Sequence, residues 1–342
     1  MAVEAAAGGQ PTLEQLAQEA RPKRTLGQNL RRFARRKPAG AISAVVLILL
    51  ALVAAFAPII ATHDPIRDQV AAERLEGPSA SHLMGTDNLG RDVFSRVVYG
   101  ARISLQVGFL AIGLGTVVGM LVGVLSGYLG GKLDLVVQRF VDVMMGFPFI
   151  ILAMLLVVAL GASLLNVGLA LSVAIVPRVV RLSRSSTLSV KEEVYVLAAV
   201  TIGVSLPRMV LRHILPNTLG PVFVLATGAL GGVIVAEAGL AFLGLGIPPP
   251  SPSWGGMLNV GARGYMEAAP WMVIFPGIAL SVVVFTFALL GDALRDVLDP
   301  RLRGGSGRYG VLRTSRRGRS GLLVSGSSRA SANRTAKPQS AL

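Results

Sequence analysis

Five regions without Asp, Glu, Lys or Arg stand out: residues 38–63, 103–131, 143–177, the pair 197–207 and 213–236, and 268–291. A helix crossing the hydrocarbon core of a bilayer needs about 20 consecutive apolar residues, and every one of these regions holds a stretch that is long enough. Composition points the same way, since 52% of the 342 residues are hydrophobic and 15% are charged, more apolar surface than a soluble domain covers. The 35-residue stretch 143–177 would be about 50 Å long as one helix, too long for a single crossing. Gly161, Ser163, Asn166 and Gly168 supply turn chemistry near its middle, so it predicts two spans, at about 140–161 and 165–182. With a first span at 39–61, a second starting at 103, a fifth near 218–243 and a last one ending at 291, the expected fold class is an all-α integral membrane protein with six transmembrane helices. The first span begins far from the start and lacks a small-residue cleavage pattern, so it is expected to stay in place rather than be removed as a signal.

Orientation follows from basic residues in the short connections. Of the 33 Lys and Arg residues, 27 fall in segments 1–38, 128–140, 178–217 and 292–342, and 6 fall in segments 62–102 and 246–270. Both termini are therefore expected on the cytoplasmic side of the plasma membrane. Segment 1–38 is read as a cytoplasmic basic segment, with Arg31, Arg32, Arg35, Arg36 and Lys37 against anionic lipid, each gaining about 1 kcal/mol. A net charge of +15 would ordinarily suggest nucleic acid, but here the cations flank hydrophobic runs, and no nucleic-acid partner is expected. Segment 292–342 is read as cytoplasmic and disordered beyond about 304, since residues 301–342 hold ten Lys or Arg and no acid.

The sequence offers little to catalysis. It has no Cys, which removes disulfides, thiolate metal sites and a cysteine nucleophile. The one Gly-Lys pair, Gly131-Lys132, is followed by Leu133 rather than Ser or Thr, so there is no phosphate-cradling loop. No HExxH or GxSxG occurs, and His63 and His82 read as surface residues of loop 62–102. Neither an enzyme nor a metal site is expected. Glu237 has two readings, an interfacial carboxylate at a helix terminus or a group lining a translocation pathway. Asp142 and Asp292 read as boundary residues at span ends. Gly115, Gly119, Gly123 and Gly127 recur every four residues and put a smooth groove down one helix face, suited to a crowded bundle or a subunit interface.

The connection 182–217, about 36 residues, is far longer than a passive turn needs. Ser189 with Glu192 and Glu193 resembles a helix start with acids in its first turns. Gly203 and Pro207 break that helix, residues 208–214 can form a second short one, and Pro216 with Asn217 is expected to turn the chain into span five. Ala198, Ala199 and Gly203 give the projection a small-residue face suited to docking in a partner's groove. A helix lying on the lipid surface is the alternative.

These residues resemble a known family, the permease subunits of dipeptide and oligopeptide ABC importers, of the type with one N-terminal span before a large outer loop. The family's coupling motif is EAA-x3-G-x9-I-x-L-P. Here Leu197, Ala198 and Ala199 stand for EAA, Gly203 for the glycine, His213 for the Ile, and Leu215-Pro216 for its end; Val204, Ser205, Arg208 and Arg212 lie between. Leu197 and His213 depart from the motif, the first removing a glutamate that would pair with the ATPase. The resemblance extends over HLMGTDNLGRDVFSRVVYGARISL at 82–105, EAGLAFLGLGIPPPSPSWGGML at 237–258, PWMVIFPGIAL at 270–280 and GDALRDVLDPR at 291–301. It implies the type I ABC importer permease fold, with residues 103–291 as the core and 182–217 as the coupling loop. It also implies a homologous second permease, two cytoplasmic ATPase subunits and an extracytoplasmic substrate-binding protein as partners. ATP and Mg would sit on the ATPases, so this chain binds no cofactor. Short peptides are the implied cargo, with nickel, glutathione and sugar conjugates as alternatives. An ion-coupled secondary transporter is the reading from a different class; it would need no projecting loop and more charge within the membrane.

Overall fold

The structure, a computed structural model, describes residues 34, 35 and 37–298. Among these residues every regular element is a helix, with one isolated β-bridge between Thr86 and Asp92. Arg31, Arg32, Arg36 and the segment beyond 304, for which the sequence predicts lipid contact and disorder, lie outside the described residues. The helices are α1 (Pro38–Ala55), α2 (Ala57–Ile60), α3 (Val93–Leu129), α4 (Gly131–Met145), α5 (Phe149–Leu160) and α6 (Leu164–Val190). They continue with α7 (Val194–Thr201), α8 (Leu206–Met209), α9 (Leu215–Phe242), α10 (Trp254–Gly264) and α11 (Trp271–Leu298). Five segments are long and apolar enough to cross a membrane, and α4 with α5 forms a bent pair that makes a sixth if counted as one span. The chain thus has a loop end, where residues 61–92 and α10 lie, and an opposite end that carries α7.

Several boundaries differ from the sequence expectation: α6 runs to Val190, eight residues past 182, the helical segment of span five begins at Leu206 rather than near 218, and three more differ for local reasons. The helix of span two starts at Val93 rather than 103, because Asp92 caps it by accepting the Ser95 N–H at 2.7 Å. Arg96 is tolerated inside it: its guanidinium donates to the Pro65 carbonyl at 2.7 Å and lies 3.5 Å from the Asp87 carboxylate, which Arg91 also pairs at 2.7 Å. The third span is not one helix over 140–161. It bends by 93° between α4 and α5, where Gly146, Phe147 and Pro148 interrupt the helix. At 1.5 Å per residue α5 is about 18 Å long. The polar side of α4 is held to α6 instead, by Arg184 gripping Asp134 with two bonds of 2.6 Å and by Arg181 on Asp142 at 2.5 Å. Asp142 is therefore an ion-pair partner as well as a boundary residue. The last helix runs seven residues past 291, and Asp296 near its end pairs with Lys37 before α1.

Other sequence signals appear where they are expected. Gly161 ends α5 at φ 84°, Ser163 caps α6 by accepting the Asn166 N–H, and the Asn166 side chain donates back to the Leu160 and Gly161 carbonyls. Gly168 plays no part in that turn; it lies inside α6, where a Cβ would meet Leu110 at 2.5 Å.

The core is built on α3 against α6, and the four-residue glycine repeat is its seam. A Cβ on Gly115 would stand 2.2 Å from Ile175, on Gly119 2.6 Å from Val179, on Gly123 2.5 Å from the Val180 carbonyl, and on Gly127 3.0 Å from the Arg184 carbonyl. The groove is filled by this chain's own α6. Around the seam Val107, Ala111, Val124, Leu171, Ile175 and Val179 are buried, while Phe109, Val117 and Leu121 face outward, as lipid-exposed side chains do. Replacing Gly123 with Leu should overpack the seam, costing about 1–3 kcal/mol or more and lowering the thermal midpoint in detergent. Gly113→Leu, at a position with no neighbour within 4 Å, should leave it in place; equal midpoints for the two variants would contradict the seam.

Candidate functional site: an elbow at one end and a buried carboxylate at the other

At the end opposite the loops, α6 stops at Val190 and the chain turns through Lys191 and Glu192 into α7. Ser189 does not cap α7. It lies inside α6, donating its hydroxyl to the Ser185 carbonyl, and Glu193 takes the N-cap position with no side-chain bond. The α7 helix ends in a left-handed glycine cap: Gly203 has φ 73°, and the Val204 N–H reaches back to the Ala199 carbonyl at 3.1 Å. Pro207, with no N–H to lose, then sits in the first turn of α8.

The second arm does not turn at Pro216 and Asn217. Instead, α8 runs through a π-helical turn, Val210–Ile214, straight into α9, giving one continuous helical segment, Leu206–Phe242. The cause lies in the same two residues. Pro216 cannot donate, so the ladder widens by one residue and the Leu215 N–H bonds five back to Val210. The Asn217 side chain satisfies the His213 carbonyl at 2.6 Å.

This elbow has an anchored side and a free side. Val196, Ala199, Met209, Val210 and Ile214 are buried, and Val204, His213 and Leu215 are half-buried. The free side carries Leu197, Ala198, Gly203, Ser205, Arg208, Arg212 and Pro216. Its apolar members are well exposed, Val194 at 81%, Leu197 at 53%, Val200 at 53% and Ile202 at 80%. Of the small-residue face expected for docking, Ala198 and Gly203 are outward and Ala199 is turned into the bundle.

At the loop end Glu237 is fully buried in α9. It is bonded to neither a helix terminus nor water-facing groups; the Ser104 hydroxyl of α3 donates to its Oε2 at 2.9 Å, and Oε1 has no partner among the described residues. Above it Trp254 of α10 is wedged onto Gly100, where a Cβ would come within 2.8 Å of the indole, and its Nε1 donates to the Val97 carbonyl at 3.0 Å. Ser104, Trp254, the Arg184–Asp134 pair and the Asp87–Arg91–Arg96 group were not singled out from the sequence. Their partners lie up to 157 positions away, so only folding pairs them.

The sequence profile of the family described as binding-protein-dependent transport system inner membrane component matches residues 119–304. The profile of the N-terminal TM domain of oligopeptide transport permease C matches residues 25–78. This chain belongs to the family of binding-protein-dependent transport inner membrane components. The permease is 41% identical over 262 residues to the dipeptide transport system permease protein DppC of Alkalihalophilus pseudofirmus, covering 77% of this chain and 86% of that one. It is 43% identical over 274 residues to the glutathione transport system permease protein GsiD of Escherichia coli and to that of Shigella sonnei, covering 80% of this chain and 90% of each relative. The permease is thus an all-helical, multi-pass membrane subunit of a transport system, and the family match supports the resemblance read from its motifs.

Removing the Ser104 hydroxyl would leave the buried Glu237 carboxyl group without a described partner. Ser104→Ala should therefore destabilise the permease by about 1–3 kcal/mol, measured as a lower thermal midpoint, and the double variant Ser104→Ala, Glu237→Leu should recover part of the loss. A midpoint unchanged by Ser104→Ala would show that the bond contributes nothing.

Proposed function

We propose that the permease carries short peptides through an ATP-driven importer, with the elbow around α7 as the piece on which a cytoplasmic ATPase subunit docks. The observation that carries this reading is the exposed apolar side of α7, set on a rigid, anchored arm. Moving a two-state transporter from 1:99 to 99:1 needs about 5.5 kcal/mol of differential binding. An exposed ion pair contributes about 0–1 kcal/mol, whereas fully burying one large aliphatic side chain contributes about 1.5–3 kcal/mol. Covering Val194, Leu197, Val200 and Ile202 is therefore sufficient in scale, and the absence of the motif glutamate at position 197 is tolerable. Because α7 joins α6 directly and α8 runs into α9, a push on the elbow moves two core helices together.

The rest of the machinery follows the same reading. ATP and Mg are bound by two ATPase subunits, not by this chain, and both termini lie with the elbow on the cytoplasmic side. A homologous second permease completes the pathway, and a separate binding protein delivers cargo at the loop end. The two cargo names among the relatives, dipeptide and glutathione, share one chemistry, a short peptide with free charged ends, which favours peptides over nickel or sugar conjugates. Positions 204, 205, 208, 212, 213, 215 and 216 are assigned to the coupling elbow together with 197–199 and 203.

Gly203→Leu tests the elbow. A non-glycine residue in the left-handed region costs roughly 1–2 kcal/mol, and nothing lies within 4 Å of a Cβ there, so the bundle itself has no clash to relieve. Peptide uptake should fall at least tenfold while the protein still reaches the membrane at normal abundance. Uptake at the unmodified rate would contradict the coupling role.

A further inference from the structure

Folding of the loop end brings together three residues that stand 19 and 10 positions apart in sequence, His63, His82 and Asp92. One ligand-type atom from each lies within 4.8 Å of the others. His82 Nδ1 is 3.1 Å from Asp92 Oδ1, and His63 Nδ1 is 3.9 Å from Asp92 Oδ2. Ligand atoms of one tetrahedral zinc ion, at bond lengths of about 2.0–2.2 Å, stand roughly 3.3 Å apart. The His82 gap to Oδ1 already meets that spacing, and the partly exposed His63 ring, 3.9 Å from Oδ2 and 3.0 Å from the Thr62 hydroxyl, closes the rest by a small rotation toward the ion.

Two further observations point to a cation rather than a surface cluster. His82 is buried, not a surface residue, and its other nitrogen, Nε2, lies 3.3 Å from the Glu73 carboxylate. With Nδ1 turned to an ion, Nε2–H donates to Glu73, the carboxylate–histidine–metal arrangement that fixes tautomer and ring orientation. Asp92 is itself fully buried, and among the described residues its ion-pair partners are the two imidazoles, with no Lys or Arg. A buried carboxylate without a fixed cation is costly; a bound ion offsets that cost. The remaining bonds to Asp92 Oδ2 come from the Ser95 N–H and the Thr62 hydroxyl, both compatible with a carboxylate that also binds a metal.

We propose that His63, His82 and Asp92 form a binding site for a divalent transition-metal ion of the zinc type, with Glu73 orienting His82. Two imidazoles and one carboxylate suit such an ion better than calcium or magnesium, which favour all-oxygen sites. The His63 side chain is 34% exposed, which leaves an open side for water to complete the coordination. An ion there would tie the chain after α2, the turn at His82 and the capped start of α3 to one point. The sequence alone did not suggest this, because the spacing matches no metal-binding motif.

The test uses the full chain in lipid nanodiscs, stripped with a chelator and titrated with zinc chloride against a chromophoric competitor. One equivalent per chain is expected, with binding at least tenfold weaker in His63→Ala. His82 and Asp92 are buried and their variants can misfold, so the partly exposed His63 carries the decision. X-ray absorption at the zinc edge gives an independent readout: the chain has three His and no Cys, and His213 lies in the π turn before α9, at the end opposite the loops, so two imidazole nitrogens plus oxygen are expected. Equal affinity in the unmodified and His63→Ala proteins, or a first shell without two imidazoles, would overturn the proposal.

Discussion

Backbone-to-backbone contact between α3 and α6 is the interaction on which the rest of this structure depends. In lipid, apolar side chains gain little by leaving the solvent, so helices associate through close packing and the few polar bonds they share. Four glycines in register let α3 approach α6 until side chains of Ile175 and Val179 lie in the groove. At the end near α4, the same contact is closed by polar groups: Thr187 returns its hydroxyl to its own helix, and Arg184 grips Asp134, which also accepts from Ser126 of α3. With this pair fixed, α9 packs across both helices, α11 packs on α9, and α1 packs on α11 and on α3.

The two ends of the pair are finished differently, and the difference fits a transport subunit. At the loop end, indoles act as wedges with a polar handle. Trp254 bonds to the Val97 carbonyl and Trp271 to the Thr86 carbonyl, so α10, α11 and the 61–92 segment are all tied to the start of α3. At the opposite end the elbow keeps its large apolar side chains outside. Val194 and Ile202 stand in the open beside charged residues, as the docking role proposed for the elbow requires.

Much of this could be read from the chain, and the failures share a cause. Uncharged run length gives the crossings, Gly161, Ser163 and Asn166 give the tight connection, and Gly203 with Pro207 gives the elbow, because each signal is local and acts within a few residues. The early start of α3 was hidden by Arg96 and Arg102, charges that a hydropathy count treats as loop; Arg96 is buried and paired with Asp87, and Arg102 stands on the exposed side of the helix. The bend at Gly146 to Pro148 was hidden inside an apolar run, and the ion pairs that hold α4 beside α6, from Asp134 and Asp142 to arginines some 40 to 50 positions later, are visible only in the fold. Pro216 was a real signal with the wrong expected consequence, since a proline can widen a helix into a π turn instead of ending it. His82 looked like a surface residue because nothing near it in sequence announces Glu73 and Asp92 as its neighbours.

The central claim is that the elbow between α6 and α9 receives force from a nucleotide-hydrolysing partner. The chain has no cysteine, so Ser205→Cys, on the exposed side of the elbow, provides a single thiol for a cross-linker in intact cells. The account predicts that an ATPase subunit is captured there and is not captured by a thiol at Ile48, on the outward side of α1. If no ATPase is captured at Ser205 in cells that still take up peptide, the elbow is not the coupling piece.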